Sequence, residues 1–152
     1  MCCIWKDNGN ISNELTIQEW KNIVSSLKGF LDTKHDIILS GGEPLLKKDL
    51  LDLVNFITKS GYKVSLETNA YLINKELVKT IRDSGLWRIC ISLDSLDENT
   101  HDLLRGRKGS YGKVMKGIEY LNKFCPSVGI NIQTTIMEQN LDELTKLAEW
   151  VA

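Results

Sequence analysis

The stretch His35-Asp36-Ile37-Ile38-Leu39-Ser40-Gly41-Gly42-Glu43-Pro44 runs from a short apolar segment into a glycine-rich corner, and a strongly periodic segment follows it. Residues 35 to 40 read as a buried strand. Leu46, Leu50, Leu53, Val54 and Ile57 then fall on one face of a helix stopped by Gly61. At the junction, two adjacent glycines let the backbone turn sharply and approach a ligand, because neither carries a Cβ. Glu43 adds a charge and Pro44 fixes φ. An amine or cation is the natural partner of such a corner, although a bare Gly-Gly pair is more often an ordinary turn.

The same strand-then-helix unit recurs along the chain. Before it, Thr16 and Glu19 form a capping box for a helix carrying Ile17, Trp20, Val24, Leu27 and Leu31 on one face. After it, Tyr62–Glu67 reads as a strand ending in Thr68-Asn69-Ala70, followed by a helix from Asn74 to Ser84 closed by Gly85. A third strand, Leu86–Leu93, ends in Ser92-Leu93-Asp94. Ser95 and Glu98 are expected to cap a short helix through Leu104, with Arg105–Ser110 as a basic loop and helical spacing from Tyr111 to Asn122. Val128–Ile136 is the last strand, and a helix from Asn140 should bury Leu141, Leu144, Leu147, Ala148 and Val151. Strict alternation implies parallel strands joined by right-handed crossovers, either as an open doubly wound sheet or as part of a β/α barrel. Both architectures gather function at the carboxyl ends of the strands, where the polar clusters of this chain also fall.

The totals suit one domain. The chain has 152 residues, 42% hydrophobic and 26% charged, with a formal net charge of −1. The one short basic run, Arg105-Gly106-Arg107-Lys108, gives little electrostatic support to nucleic-acid binding, and no apolar run reaches membrane-spanning length. A cytoplasmic setting is expected, where four cysteines point to metal or reactive thiols before disulfides. Cys90 and Cys125 read as small buried residues. His35 and His101 have no nearby serine or cysteine nucleophile, which argues against hydrolase chemistry.

Together, Met1-Cys2-Cys3-Ile4-Trp5, Leu39-Ser40-Gly41-Gly42-Glu43-Pro44, Glu67-Thr68-Asn69-Ala70, Ile91-Ser92-Leu93-Asp94 and His101-Asp102-Leu103-Leu104-Arg105-Gly106 running into Gly109-Ser110-Tyr111 resemble the radical S-adenosylmethionine enzymes. The closest likeness is to the branch with peptide-modifying and cofactor-maturing members, many of which append a second cysteine-rich domain. The resemblance implies an α/β fold of parallel β/α repeats forming a partial TIM barrel. It also implies a 4Fe-4S cluster and S-adenosylmethionine as cofactors, an electron donor that reduces the cluster, and a 5′-deoxyadenosyl radical that takes hydrogen from a peptide or small-molecule substrate.

In that family three cysteines of one loop hold the cluster. Cys2 matches the third, Cys3 the variable residue after it, and Trp5 a residue that shields the loop. The first two cysteines and the strand before them have no counterpart here, so residues 1 to 152 are expected to be one incomplete core domain of a longer protein. The resemblance places Gly41, Gly42 and Glu43 at the methionine ammonium and Asn69 against the cofactor through its amide. Ser92 and Asp94 fall at the ribose hydroxyls and Arg105 at the methionine carboxylate, with Gln133 or Thr134 toward the adenine and Thr68 in packing. Two other readings stand beside this one. One is a non-catalytic module binding S-adenosylmethionine or another nucleotide. The other is an ordinary α/β enzyme using Glu43 or Asp94 as acid or base.

Overall fold

Apolar strands that pair in parallel must be joined by crossovers, and here every crossover carries helix. A computed structural model describes residues 14–27, 30, 32 and 35–152. Strands β1 (Asp36–Leu39), β2 (Lys63–Thr68), β3 (Arg88–Ser92) and β4 (Gly129–Gln133) form one parallel sheet in the order β1-β2-β3-β4. The strands neighbour one another in sequence order without reversal. Crossovers of one hand then all lie on one side of the sheet, which is the winding of a β/α barrel and removes the doubly wound alternative.

Helices α2 (Leu50–Lys59), α3 (Lys75–Asp83), α4 (Glu98–Arg105) and α5 (Ser110–Phe124) fill the connections, while α1 (Ile17–Ser26) precedes β1 and α6 (Leu144–Val151) follows β4. The core joins Val54, Ile57, Val78, Ile81, Val114 and Leu121 of the helices to Val64, Leu66, Ile89 and Ile91 of the central strands, all of them 0% exposed. Successive residues of a strand point to opposite faces. The other face therefore carries Ser65, Glu67, Arg88, Cys90, Ser92, Asn131 and Gln133, the polar wall that a barrel turns toward its interior.

The capping box of α1 forms as expected, with Glu19 N donating to Thr16 Oγ1 and Thr16 N to Glu19 Oε2. Asn74 caps α3 by accepting from Glu76 N and Leu77 N. Gly61 and Gly85 follow α2 and α3 with φ of 95° and 77°, so both helix stops hold. Cys90 and Cys125 are buried, and Cys125 Sγ donates to Val78 O.

Five expectations are corrected. The first strand is not buried: β1 ends the described sheet, and Ile38 points away from the helical core at 59% exposure. Leu46 is not on the α2 face: Pro44–Leu46 form a separate 3-10 turn, and Leu46 is 70% exposed. The cap of α4 is Asp97, whose Oδ1 accepts from Thr100 N, while Ser95 and Glu98 form no capping box. Arg105 closes α4 and is not a loop residue, because the left-handed turn comes at Gly106. The final helix begins at Leu144 after a 3-10 segment, Glu138–Glu143, and of its expected buried face only Leu147 is buried, with Leu141 and Val151 exposed. Leu31, Cys2, Cys3 and Trp5 lie outside the described residues.

Candidate cofactor-binding rim

The carboxyl ends of four neighbouring parallel strands bring the residues singled out in the sequence to one rim. Gly41 and Gly42 leave β1 exposed, and Gly41 has φ 157°, which L side chains rarely adopt. A Cβ built on Gly41 would meet nothing within 4 Å, so its glycine serves backbone geometry and approach, not tight packing.

Glu43 caps the Pro44–Leu46 turn and turns its carboxylate inward along the rim. Oε1 accepts from Leu45 N at 3.1 Å and from Thr68 Oγ1 at 2.7 Å, and Oε2 accepts from Asn69 N at 2.9 Å. The bonds from Thr68 and Asn69 fasten the β1 corner to the end of β2. A carboxylate offers about four acceptor positions, so one direction at Oε2 stays open on a half-buried side chain. Thr68 is buried and, besides bonding Glu43, accepts from Ala70 N, so it both packs and links. Asn69 Oδ1 accepts from Tyr71 N, closing a tight turn that leaves the Asn69 amide NH2 without a partner among the described residues.

On the β3 side the arrangement is tighter. Asp94 is 3% exposed. Its Oδ1 accepts from Thr135 N at 3.0 Å, and its Oδ2 lies 2.7 Å from Arg105 Nε, an ion pair whose N–H is not well directed at the oxygen. Asp94 N donates to His101 Nδ1 at 3.2 Å, and Asp94 O accepts from Asn140 Nδ2 at 2.8 Å. Every polar atom of this residue is engaged. Ser92, two residues earlier on the polar wall, has a half-buried hydroxyl with no partner among the described residues.

The undecided pair at β4 separates cleanly. Gln133 lies on the polar wall and donates to Glu67 Oε1, whereas Thr134 turns away and donates to Leu93 O. Glu67 also accepts from Ser40 Oγ at 2.7 Å, so one carboxylate links β1, β2 and β4 across the wall. The Ser40 bond first, then that from Gln133, holds the Glu67 carboxyl below its ordinary range. Glu67, Thr135, Asn140 and His101 went unassigned in the sequence. Alternation with Ser65 was the signal for Glu67; the other three meet the site only through tertiary contacts.

Among the described residues no group of three His, Cys, Asp or Glu is placed to hold a metal ion, and no helix is long and apolar enough to cross a membrane.

Comparison with known proteins agrees with this geometry. An AdoMet-dependent heme synthase of Methanosarcina barkeri is 36% identical over 138 residues, covering 91% of this chain and 38% of the relative. A PqqA peptide cyclase of Bradyrhizobium diazoefficiens is 28% identical over 138 residues, covering 90% of this chain and 35% of the relative. The chain thus spans well under half the length of these relatives. Among solved structures, native anSMEcpe with bound AdoMet superposes with a TM-score of 0.72 at 18% identity, over 93% of this chain and 42% of that one, which shows the shared fold. The partial-barrel winding, the ordered strand-end motifs and a match to the Radical SAM superfamily over residues 1–151 agree, and the chain belongs to that superfamily.

Proposed function

We propose that this chain is the core of a radical S-adenosylmethionine enzyme and that its rim binds the cofactor along β1, β2 and β3. The observation that carries the reading is the Gly41-Gly42-Glu43 corner, held against the end of β2 by two hydrogen bonds on Glu43, from Thr68 Oγ1 and Asn69 N, while its glycine backbone stays open. An ammonium group needs acceptors, and the corner supplies backbone carbonyls and the remaining acceptor direction of Glu43 Oε2. The Asn69 amide stands next to it on the rim.

Ser92 and Asp94 are the proposed ribose contacts. Ser92 is ready as it stands, while Asp94 Oδ2 becomes available only when Arg105 releases it. The two roles are compatible: Arg105 turning to the methionine carboxylate frees the oxygen that a ribose hydroxyl would use. A guanidinium suits this exchange because its planar fork pairs two-to-two with a carboxylate. Gln133 is the β4 residue directed toward the adenine side.

The residues present fit the S-adenosylmethionine half of the cofactor pair. For the cluster, Cys2 is the proposed ligand and lies outside the described residues. Cys90 and Cys125 are separated between the polar wall and the helical core, and burial pushes both thiols up, away from thiolate. When bound, the pair would supply a 5′-deoxyadenosyl radical able to take hydrogen from a substrate, the cluster being reduced by an electron donor. The chain's own part is to orient S-adenosylmethionine and exclude water. The substrate class proposed is a peptide or small molecule, and the setting proposed is cytoplasmic, where thiol ligands stay reduced.

Calorimetric titration of the full chain with S-adenosylmethionine tests the rim. Saturable binding that weakens in Glu43→Ala is expected, and absence of binding by the folded protein overturns the reading. Anaerobic reconstitution with iron and sulfide reads the cluster separately, and binding of S-adenosylmethionine with no iron taken up would favour a non-catalytic cofactor-binding module.

A further inference from the structure

Asp94 N–H is a buried donor, and it donates to a single acceptor, Nδ1 of His101. His101 lies on α4, four residues before Arg105, so the two side chains project from the same helix face. One takes the main-chain N–H of Asp94 and the other faces its carboxylate. A ring nitrogen that accepts cannot carry the proton, so His101 is held as the neutral tautomer with hydrogen on Nε2. His101 is 0% exposed, and its Nε2 has no hydrogen-bond partner among the described residues. Its ring meets Tyr111 edge-on, with centroids 6.0 Å apart at 63°. A half-satisfied buried polar ring is inferior to an apolar one for packing alone. What His101 offers that an apolar residue would lack is the acceptor for Asp94.

We propose that His101 is a positioning residue for the cofactor site: by accepting the Asp94 N–H through Nδ1, it fixes the turn after β3 that aims the Asp94 carboxylate beside Ser92. The proposal rests on the cofactor reading above. The bond persists whether or not Arg105 leaves Asp94, because it uses the main chain and not the carboxylate. His101 therefore keeps the strand end in place during the exchange that binding at Arg105 requires.

The test is titration of the full chain with S-adenosylmethionine, combined with thermal melting, for wild type and three variants. His101→Phe keeps a ring and removes the acceptor. His101→Asn places an amide oxygen near the position of Nδ1. Leu104→Ala removes buried apolar surface from the same helix and none of the hydrogen bonds or the ion pair of Asp94. His101→Phe is expected to weaken binding about tenfold, the scale of one buried donor left unpaired. His101→Asn should recover affinity to within about threefold of wild type. Leu104→Ala should lower Tm while affinity holds.

Unchanged affinity in His101→Phe overturns the proposal. So does His101→Asn binding no better than His101→Phe, or Leu104→Ala weakening binding as much at equal loss of Tm. Failure of the folded wild type to bind overturns the cofactor reading and this inference together, whereas wild-type binding with indifferent His101 variants overturns this inference alone. Should His101→Phe not fold, nitrogen-15 NMR of the wild-type imidazole decides: the proton on Nε2 is expected, and a proton on Nδ1 overturns the proposal.

Discussion

Glu43 and Asp94 are both carboxylates just past the end of a parallel strand, and the fold uses them differently. Glu43 receives three neutral donors, two of them main-chain N–H groups and one the Thr68 hydroxyl, and keeps part of its surface in solvent. Asp94 receives a main-chain N–H and a guanidinium and is 3% exposed. The first corner is built on hydrogen bonds with one acceptor direction to spare. The second is closed by a charge, so access to it depends on whether Arg105 can be drawn away. A place just past a strand end therefore does not by itself make a carboxylate available to a ligand.

The largest break in this comparison comes from Asp94→Ala. It strands Arg105 beside a buried site and leaves Thr135 N without its acceptor, and removing one partner of a buried pair costs about 3 kcal/mol. Chemical denaturation of the full chain measures it. Glu43→Ala should cost less, about 2 kcal/mol, since it unpairs three neutral donors of which water can reach some. Glu43→Gln, which keeps one acceptor oxygen, should fall between Glu43→Ala and wild type. A cost for Asp94→Ala smaller than that for Glu43→Ala would show that the buried pair contributes less than the open corner.

Most of the fold was legible because periodicity and punctuation reinforced each other. Thr16 with Glu19, Asn74, and Gly61 and Gly85 mark helix ends by chemistry that acts within a few residues, and those ends stand where expected. The misreadings arose where two local signals competed. Ser95 and Glu98 match a capping box by spacing, but Asp97 is the better acceptor, and Ser95 Oγ instead donates to Glu143 and accepts from Asp97 N. Leu46 matches the α2 period, yet Pro44 starts a separate turn that carries it outward. At the site, the sequence pointed to which residues gather on the rim but not which of their atoms remain free. The partners that engage Asp94 are the donors of Thr135, Asn140 and Arg105 and the acceptor of His101, and only the fold brings these residues, from α4 and from the segment after β4, together.

Ser92→Ala sharpens the comparison from the ligand side. The hydroxyl has no partner among the described residues, so its loss should leave Tm within about 1 °C of wild type while S-adenosylmethionine affinity falls roughly fivefold, the scale of one net hydrogen bond. A stability loss with unchanged affinity would move Ser92 from the ligand to the scaffold.

The smallest effect lies in the pH dependence of the closed corner. Burial first, and then the Arg105 charge, hold the His101 imidazolium pKa below its ordinary value, against smaller opposing effects of Asp94 and Asp102. The unfolded chain then takes up a proton at this residue near pH 6.5, while the folded chain resists it to lower pH. Where the unfolded state binds more protons, stability rises with pH. The contribution of neutral His101 is thus complete above about pH 7 and declines as pH falls through 6.5 toward the depressed folded value. Tyr111 packs edge-on against the ring. Denaturation midpoints of wild type should therefore decrease from pH 7 to pH 5, and His101→Asn, which cannot titrate, should flatten that decrease. An equally steep decline in His101→Asn would assign the effect to other groups and leave the Asp94 corner insensitive to pH across that window.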